Sequence, residues 1–132
     1  MIPERIRKVL NQDCYMRICA NCGKPCPQWH HPFIYAGCQI NEVWSLIPLC
    51  DICHKTKALN GDLSQWLALN RAFAICGIKR LSVKYPAYRW NFEYERLNAL
   101  FWFDGSDNKR RGVQAIKTAL NLTELFPEIR EW

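Results

Sequence analysis

Two cysteine pairs of the same spacing, Cys19-Ala20-Asn21-Cys22 and Cys50-Asp51-Ile52-Cys53, stand 31 residues apart and enclose a tandem histidine, His30-His31. A third histidine, His54, follows the second pair directly, so all three histidines of the chain lie inside or against one four-cysteine frame. Four thiolates in two C-x2-C pairs make the ligand set of a closed tetrahedral zinc site. Such a site needs no histidine. The three imidazoles are therefore surplus to a structural metal and free for chemistry of their own. Cys26 competes with Cys19 as a ligand by position; Cys19 is preferred because Cys19/Cys22 repeats the spacing of Cys50/Cys53.

Composition narrows the setting. A chain of 132 residues makes a single domain, 1–132, with a modest core. Eighteen Lys and Arg against twelve Asp and Glu give a formal charge of +6, which favours an anionic partner, nucleic acid first; plain solubility is the alternative. Eight cysteines suit either disulfides or metal. The start Met1-Ile2-Pro3-Glu4-Arg5 has no apolar stretch of a secretory signal behind it, and no apolar run reaches the roughly 18 residues that span a bilayer. A reducing cytoplasm is the expected compartment, and there C-x2-C pairs read as metal sites. Cys14, Cys26, Cys38 and Cys76 are expected as small buried apolar residues.

The elements that must position this frame follow from periodicity. Ile2, Ile6, Val9 and Leu10 at helical spacing behind Pro3 predict a short helix. Residues 14–60 carry the cysteines, with Gly23, Pro25 and Pro27 marking a tight turn. Trp29–Tyr35 and Val43–Leu49 read as two strands separated by the loop Gly37-Cys38-Gln39-Ile40-Asn41, and the stretch after Cys50 reads as a helix stopped at Asn60-Gly61. The remainder, 61–132, reads as helical. Asp62 is the expected N-cap of a helix over Leu63–Cys76, and Gly77 its C-terminal signal. After a loop to Pro86, a helix over Tyr88–Phe103 would bury Phe92, Leu97, Leu100 and Phe101. Another over Arg110–Leu120 would bury Val113, Ile116 and Leu120, with Thr123 capping a last turn. These helices are expected to pack on the cysteine module, and the six tryptophans to be core.

The order Cys19-x2-Cys22, Trp29-His30-His31, Asn41, Pro48-Leu49-Cys50-x2-Cys53-His54-x2-Lys57 resembles the HNH endonucleases in their zinc-stapled form. The resemblance covers about residues 17–60, and the Tyr35–Glu42 loop is similar to that of HNH proteins common in phages and prophages. It implies an α+β, mainly α fold: a ββα-metal (treble-clef) core at 14–60 with a small β-hairpin and structural zinc, and added C-terminal helices. It implies a metal-dependent DNA endonuclease or nickase, encoded by a bacterium or a phage. His31 would be the general base that deprotonates the attacking water, a role suited to an imidazole with an ordinary pKa near 6.5. His30 and His54 would hold one divalent ion, Mg²⁺, Mn²⁺, Ni²⁺ or Zn²⁺, and Asn41 would pin the loop. Because neighbours on a strand face opposite sides, the backbone at His30-His31 must twist or bulge.

Two features depart from that pattern. Ser45 stands where relatives carry the asparagine, five residues before the third cysteine, while Asn41 lies nine before it. Pro32 follows the histidines directly and holds His31 extended. The alternative is a non-catalytic zinc module that binds DNA or a protein partner; His30-His31 discriminates, since a binding module has no use for it. For DNA contacts the sequence offers Lys55 and Lys57 after the second cysteine pair and an acid-free run of Arg71, Lys79, Arg80, Lys84 and Arg89. Lys109, Arg110 and Arg111 stand at a predicted helix start, where cations oppose the macrodipole.

Overall fold

The computed structural model describes residues 2–55, 61–103 and 107–132. The chain is α+β and mainly helical, with two small antiparallel sheets. Helix α1, Glu4–Leu10, starts behind Pro3, whose missing N–H costs nothing at a helix start, and buries Ile6, Val9 and Leu10. A 3-10 turn at Cys14–Arg17 follows, capped by the Asp13 carboxylate, which accepts from the Tyr15 N–H at 3.1 Å. Strand β1, Gln28–His30, pairs with β4, Ile47–Leu49, in the register Gln28↔Leu49, Trp29↔Pro48, His30↔Ile47. Between them β2, Ile34–Tyr35, and β3, Cys38–Gln39, form a hairpin turning through Ala36 and Gly37, both left-handed. Helix α2, Asp51–Lys55, follows β4 without a loop.

The strands are shorter than their apolar runs. Trp29–Tyr35 breaks after His30, because Pro32 brings no donor to a ladder and Phe33 turns into the core against Trp44, Tyr88 and Trp90. The loop expected at 37–41 contains β3. Of Val43–Leu49 only the last three residues are extended. Ser45 explains this: its hydroxyl donates to the Ile40 carbonyl at 2.7 Å and accepts the Glu42 N–H at 2.8 Å, giving the backbone a turn in place of a ladder.

Helix α3, Asp62–Ile75, runs through the core, with Trp66, Leu67, Ala68 and Leu69 fully buried. Asp62 is its first residue, not its cap, and faces Arg96 at 3.4 Å. The helix ends where Gly77 takes φ +82 and its N–H reaches the Ala72 carbonyl, as the sequence predicts. Helix α4, Ile78–Lys84, starts at once, in a segment read as loop; it buries only Leu81, too little for a periodic signal. Helix α5, Trp90–Phe101, buries Trp90 and Leu97, while the expected core residues Phe92 and Leu100 are exposed.

Helix α6, Asn108–Leu125, is longer than expected and turned about its axis. It buries Gly112, Ala115, Thr118, Ala119 and Leu122, and leaves Val113 and Leu120 exposed. Small residues face inward because α6 lies close on α3: a Cβ at Gly112 would meet the Trp66 ring at 2.5 Å and the Trp102 ring at 2.9 Å. Thr123 is inside α6 and accepts from Arg130; Pro127–Glu131 forms the final 3-10 turn.

Arg71, read from sequence as a phosphate contact, is fully buried. It pairs with Asp13, donates to Thr118 Oγ1 at 3.0 Å and lies over the Tyr15 ring, joining α3, α6 and the first 3-10 turn. One hydrophobic cluster extends from Ile6 to Ile129 and takes in Cys19, Cys50 and Cys53. Trp44, Trp66 and Trp90 are among its largest members. Among the described residues no helix is long and apolar enough to cross a membrane. Because the Trp66 ring against Gly112 is fully buried, Gly112→Ala should destabilise the fold by about 1–3 kcal/mol in urea denaturation.

Candidate functional site

The first cysteine pair sits on a tight turn. The Cys19 N–H donates to the Lys24 carbonyl at 2.8 Å and the Gly23 N–H to the Cys19 carbonyl at 3.0 Å; the Ala20 N–H reaches Pro48 at 2.8 Å and docks this knuckle on β4. Cys50 stands between that strand and α2, and Cys53 lies in the first turn of α2. The four ligand atoms of Cys19, Cys22, Cys50 and Cys53 all fall within 4.8 Å of one another, with Cys22 and Cys50 Sγ 3.5 Å apart. Sulfurs bound about 2.3 Å from a tetrahedral zinc stand about 3.8 Å apart, so the cluster has the dimensions of a metal site. Cys26, at φ +55 and exposed, stays outside it. The other spare thiols are not the buried residues expected either: Cys14 and Cys38 are exposed and Cys76 is half-buried.

These sulfurs do not ionise alike. Burial alone would push Cys19 up, but the N–H groups of Cys22, Cys50 and Asn21 aimed at it bring it down to about 6. Burial pushes Cys53 up to about 12, against the Asn21 side chain, whose Nδ2 donates to its Sγ at 3.3 Å. Four thiolates at neutral pH need a cation among them, and uptake of a metal would release protons.

The histidines fall into two contacts. His30 Nδ1 lies 3.2 Å from His54 Nε2, with the rings edge-on at 5.0 Å between centroids. Nitrogens about 2.0–2.1 Å from one tetrahedral ion are about 3.3 Å apart, so this pair fits two ligands of a shared ion and leaves other positions open to oxygen ligands. Burial, with His54 and His31 nearby, lowers the His30 pKa to about 4, which keeps its lone pair available at neutral pH. His30 Nε2 is buried without a hydrogen-bond partner among the described residues. His31, just past the end of β1, escapes the strand alternation. Its Nε2 lies 2.8 Å from Asn41 Oδ1. An amide oxygen only accepts, so His31 carries its proton on Nε2 and presents the lone pair of Nδ1. Nine residues of separation from Cys50 thus bring Asn41 to the histidine after all, on a loop shaped by Ser45.

Two supporting residues escaped the sequence reading. Gln65 on α3 donates to the Pro32 carbonyl at 3.1 Å and braces the turn that carries His31; nothing in a spacing of 33 residues signals it. Asn21 was visible inside the first C-x2-C, but its bond to a sulfur of the second pair was not.

The proposed cationic rim largely dissolves. Besides buried Arg71, Arg80 donates twice to the Trp132 carbonyl, at 3.0 and 2.6 Å, and Lys84 pairs with Glu42 at 2.6 Å. Arg111 donates to Asn108 Oδ1 at 3.1 Å and to the Asn21 carbonyl at 3.2 Å, tying α6 to the knuckle. The acid-free run looked free only because its partners, Asp13, Glu42 and Trp132, are distant in sequence. Lys55, Lys79, Arg89, Lys109 and Arg110 are exposed, Arg89 lying over the Phe92 ring. Lys57 lies outside the described residues.

No protein-family profile, curated protein or solved structure matches the chain.

Two measurements follow. Elemental analysis of purified protein should find one zinc per chain, and Cys50→Ser should lose both the zinc and the cooperative thermal transition. With zinc in the cysteine cluster and no ion at the histidines, an unfolded His30 titrating at the ordinary 6.5 takes up a proton that the folded one refuses until about 4. Stability should therefore fall as pH drops from 6.5 to 4, and His30→Gln should flatten that slope in denaturation series across the interval.

Proposed function

We propose that the chain is a metal-dependent DNA endonuclease or nickase of the HNH kind, built on a ββα-metal core whose structural zinc sits in the four-cysteine cluster. One observation carries this reading: the His31–Asn41 contact of 2.8 Å beside the His30–His54 contact of 3.2 Å. A treble-clef module that only binds has no use for a polarised imidazole next to a second pair of converging ring nitrogens.

The division of labour follows from the atoms. Asn41 Oδ1 fixes the His31 ring and its tautomer, so Nδ1 accepts the proton of a water whose oxygen bonds to phosphorus as the bond to the 3′ oxygen breaks. Asn41 also favours the imidazolium that forms, because a charged Nε2–H donates more strongly. His30 and His54 would hold a divalent ion, which when bound supplies Lewis acidity at the phosphate. Lys55, one residue beyond His54 and exposed, would serve a flanking phosphate.

The test is nicking of supercoiled plasmid with added Mg²⁺ or Mn²⁺. His31→Ala should lower the rate by about 10²–10⁴ while DNA affinity and zinc content hold, since it removes the base and no ligand. His54→Ala should lose activity in a way that excess metal partly restores. Parental rates from both variants at every metal concentration would overturn the nuclease reading in favour of a non-catalytic module.

A further inference from the structure

On the flank of the cysteine knuckle a cleft of about 380 Å³ opens between the first 3-10 turn, the knuckle backbone and the first turns of α6. None of its walls belongs to the histidine cluster. Arg110 and Arg111 face no Asp or Glu across it; Cys19 and Cys22 of the sulfur cluster line it too, Asn21 and Gln114 add neutral polar groups, and Tyr15 and Ile18 form an apolar wall. Arg110 is exposed and makes no hydrogen bond or ion pair with the described residues. Arg111 is half-buried and commits its two terminal nitrogens to Asn108 and Asn21, and its buried Nε–H has no acceptor among the described residues. Tyr15, buried in the same wall, has a hydroxyl without a partner among the described residues. Neither arginine has a carboxylate partner among the described residues, so the cleft presents two guanidinium charges with no acid to pair them.

We propose that this cleft binds a nucleotide unit, its phosphate on the Arg110 and Arg111 guanidiniums and its sugar or base against Tyr15 and Ile18. Two guanidiniums without a carboxylate select an anion, and their planar donor forks match phosphate oxygens. A phosphate alone would leave most of the volume and the apolar wall uncovered, whereas the volume is that of a small-ligand site. The unit comes either from a free nucleotide or from a strand whose neighbouring phosphates lie toward the histidines. The second source rests on the nuclease reading; the cleft itself does not.

The experiment is a titration of the purified protein, without added divalent metal, followed through the backbone ¹⁵N–¹H signals of Asn21, Gly23 and Gln114. The probes are a deoxynucleoside 5′-monophosphate, a short single-stranded oligodeoxynucleotide and inorganic phosphate. Saturable shifts with the nucleotide or the oligonucleotide are expected, with inorganic phosphate about tenfold or more weaker. The tighter of the first two identifies the source. Arg110→Glu, at an exposed position that the fold tolerates, should weaken binding about tenfold or more. Arg111→Lys, checked for retained zinc, should weaken it as well because a point charge replaces the fork. Absent shifts, equal binding of inorganic phosphate, or unchanged affinity in Arg110→Glu would overturn the proposal, and the two arginines would then serve only to offset the charge of the sulfur cluster. Since binding is read without cleavage, a protein that nicks DNA with silent cleft signals refutes the cleft alone. One that binds here and never nicks refutes the nuclease reading alone.

Discussion

Everything in the candidate site depends on four sulfurs meeting. Cys19 and Cys22 come from a turn that has little structure of its own, and Cys50 and Cys53 from the junction where β4 becomes α2. Their convergence within 4.8 Å fixes the angle at which α2 leaves the sheet. That angle decides whether His54 reaches His30 on β1. A three-residue strand pair is far too short to hold such an arrangement by ladder bonds alone. The cluster ties these short elements together, and four thiolates this close need a cation among them.

The helices supply a second, independent support. Arg71, buried between Asp13, Thr118 and the Tyr15 ring, links the segment just ahead of Cys19 to α3 and α6. A buried charge of this kind contributes little net stability, but removing one partner strands the other, so it enforces one packing of the helices against the cysteine module. Arg111 adds a latch from α6 to Asn21, and Asn21 carries the contact on to Cys53 Sγ. Gln65 extends the same logic from α3 to the turn after His31. The helical part thus braces both the cysteine cluster and the histidine turn through single side chains.

Much of this was legible in the sequence, and the failures have physical causes. The choice of Cys19 over Cys26 followed from repeat spacing, and Gly77 ended α3 because only a residue tolerant of positive φ closes a helix that way. The buried faces of α5 and α6 were misjudged because large apolar residues were assigned to the core. At Gly112 and Ala115 close approach between helices selects small side chains, which leaves Val113 and Leu120 outside. The charged residues were misjudged for another reason. Arg71, Arg80 and Lys84 looked unopposed along the chain, yet their partners stand 58, 52 and 42 positions away, which no local pattern reveals. Ser45, noted as a departure from the HNH pattern, shapes the loop that brings Asn41 to His31.

The central claim is that the four-sulfur cluster holds the histidines in register. Side-chain ¹⁵N NMR of the three histidines, recorded before and after zinc is stripped by a chelator, tests it most directly. The zinc-loaded protein should show His31 locked in the Nε2–H tautomer, and chelation should release it to an averaged mixture together with the loss of the His30–His54 contact. Histidine signals unchanged after the zinc is gone would contradict the account, because the histidines would then be positioned by the remaining fold without the cluster.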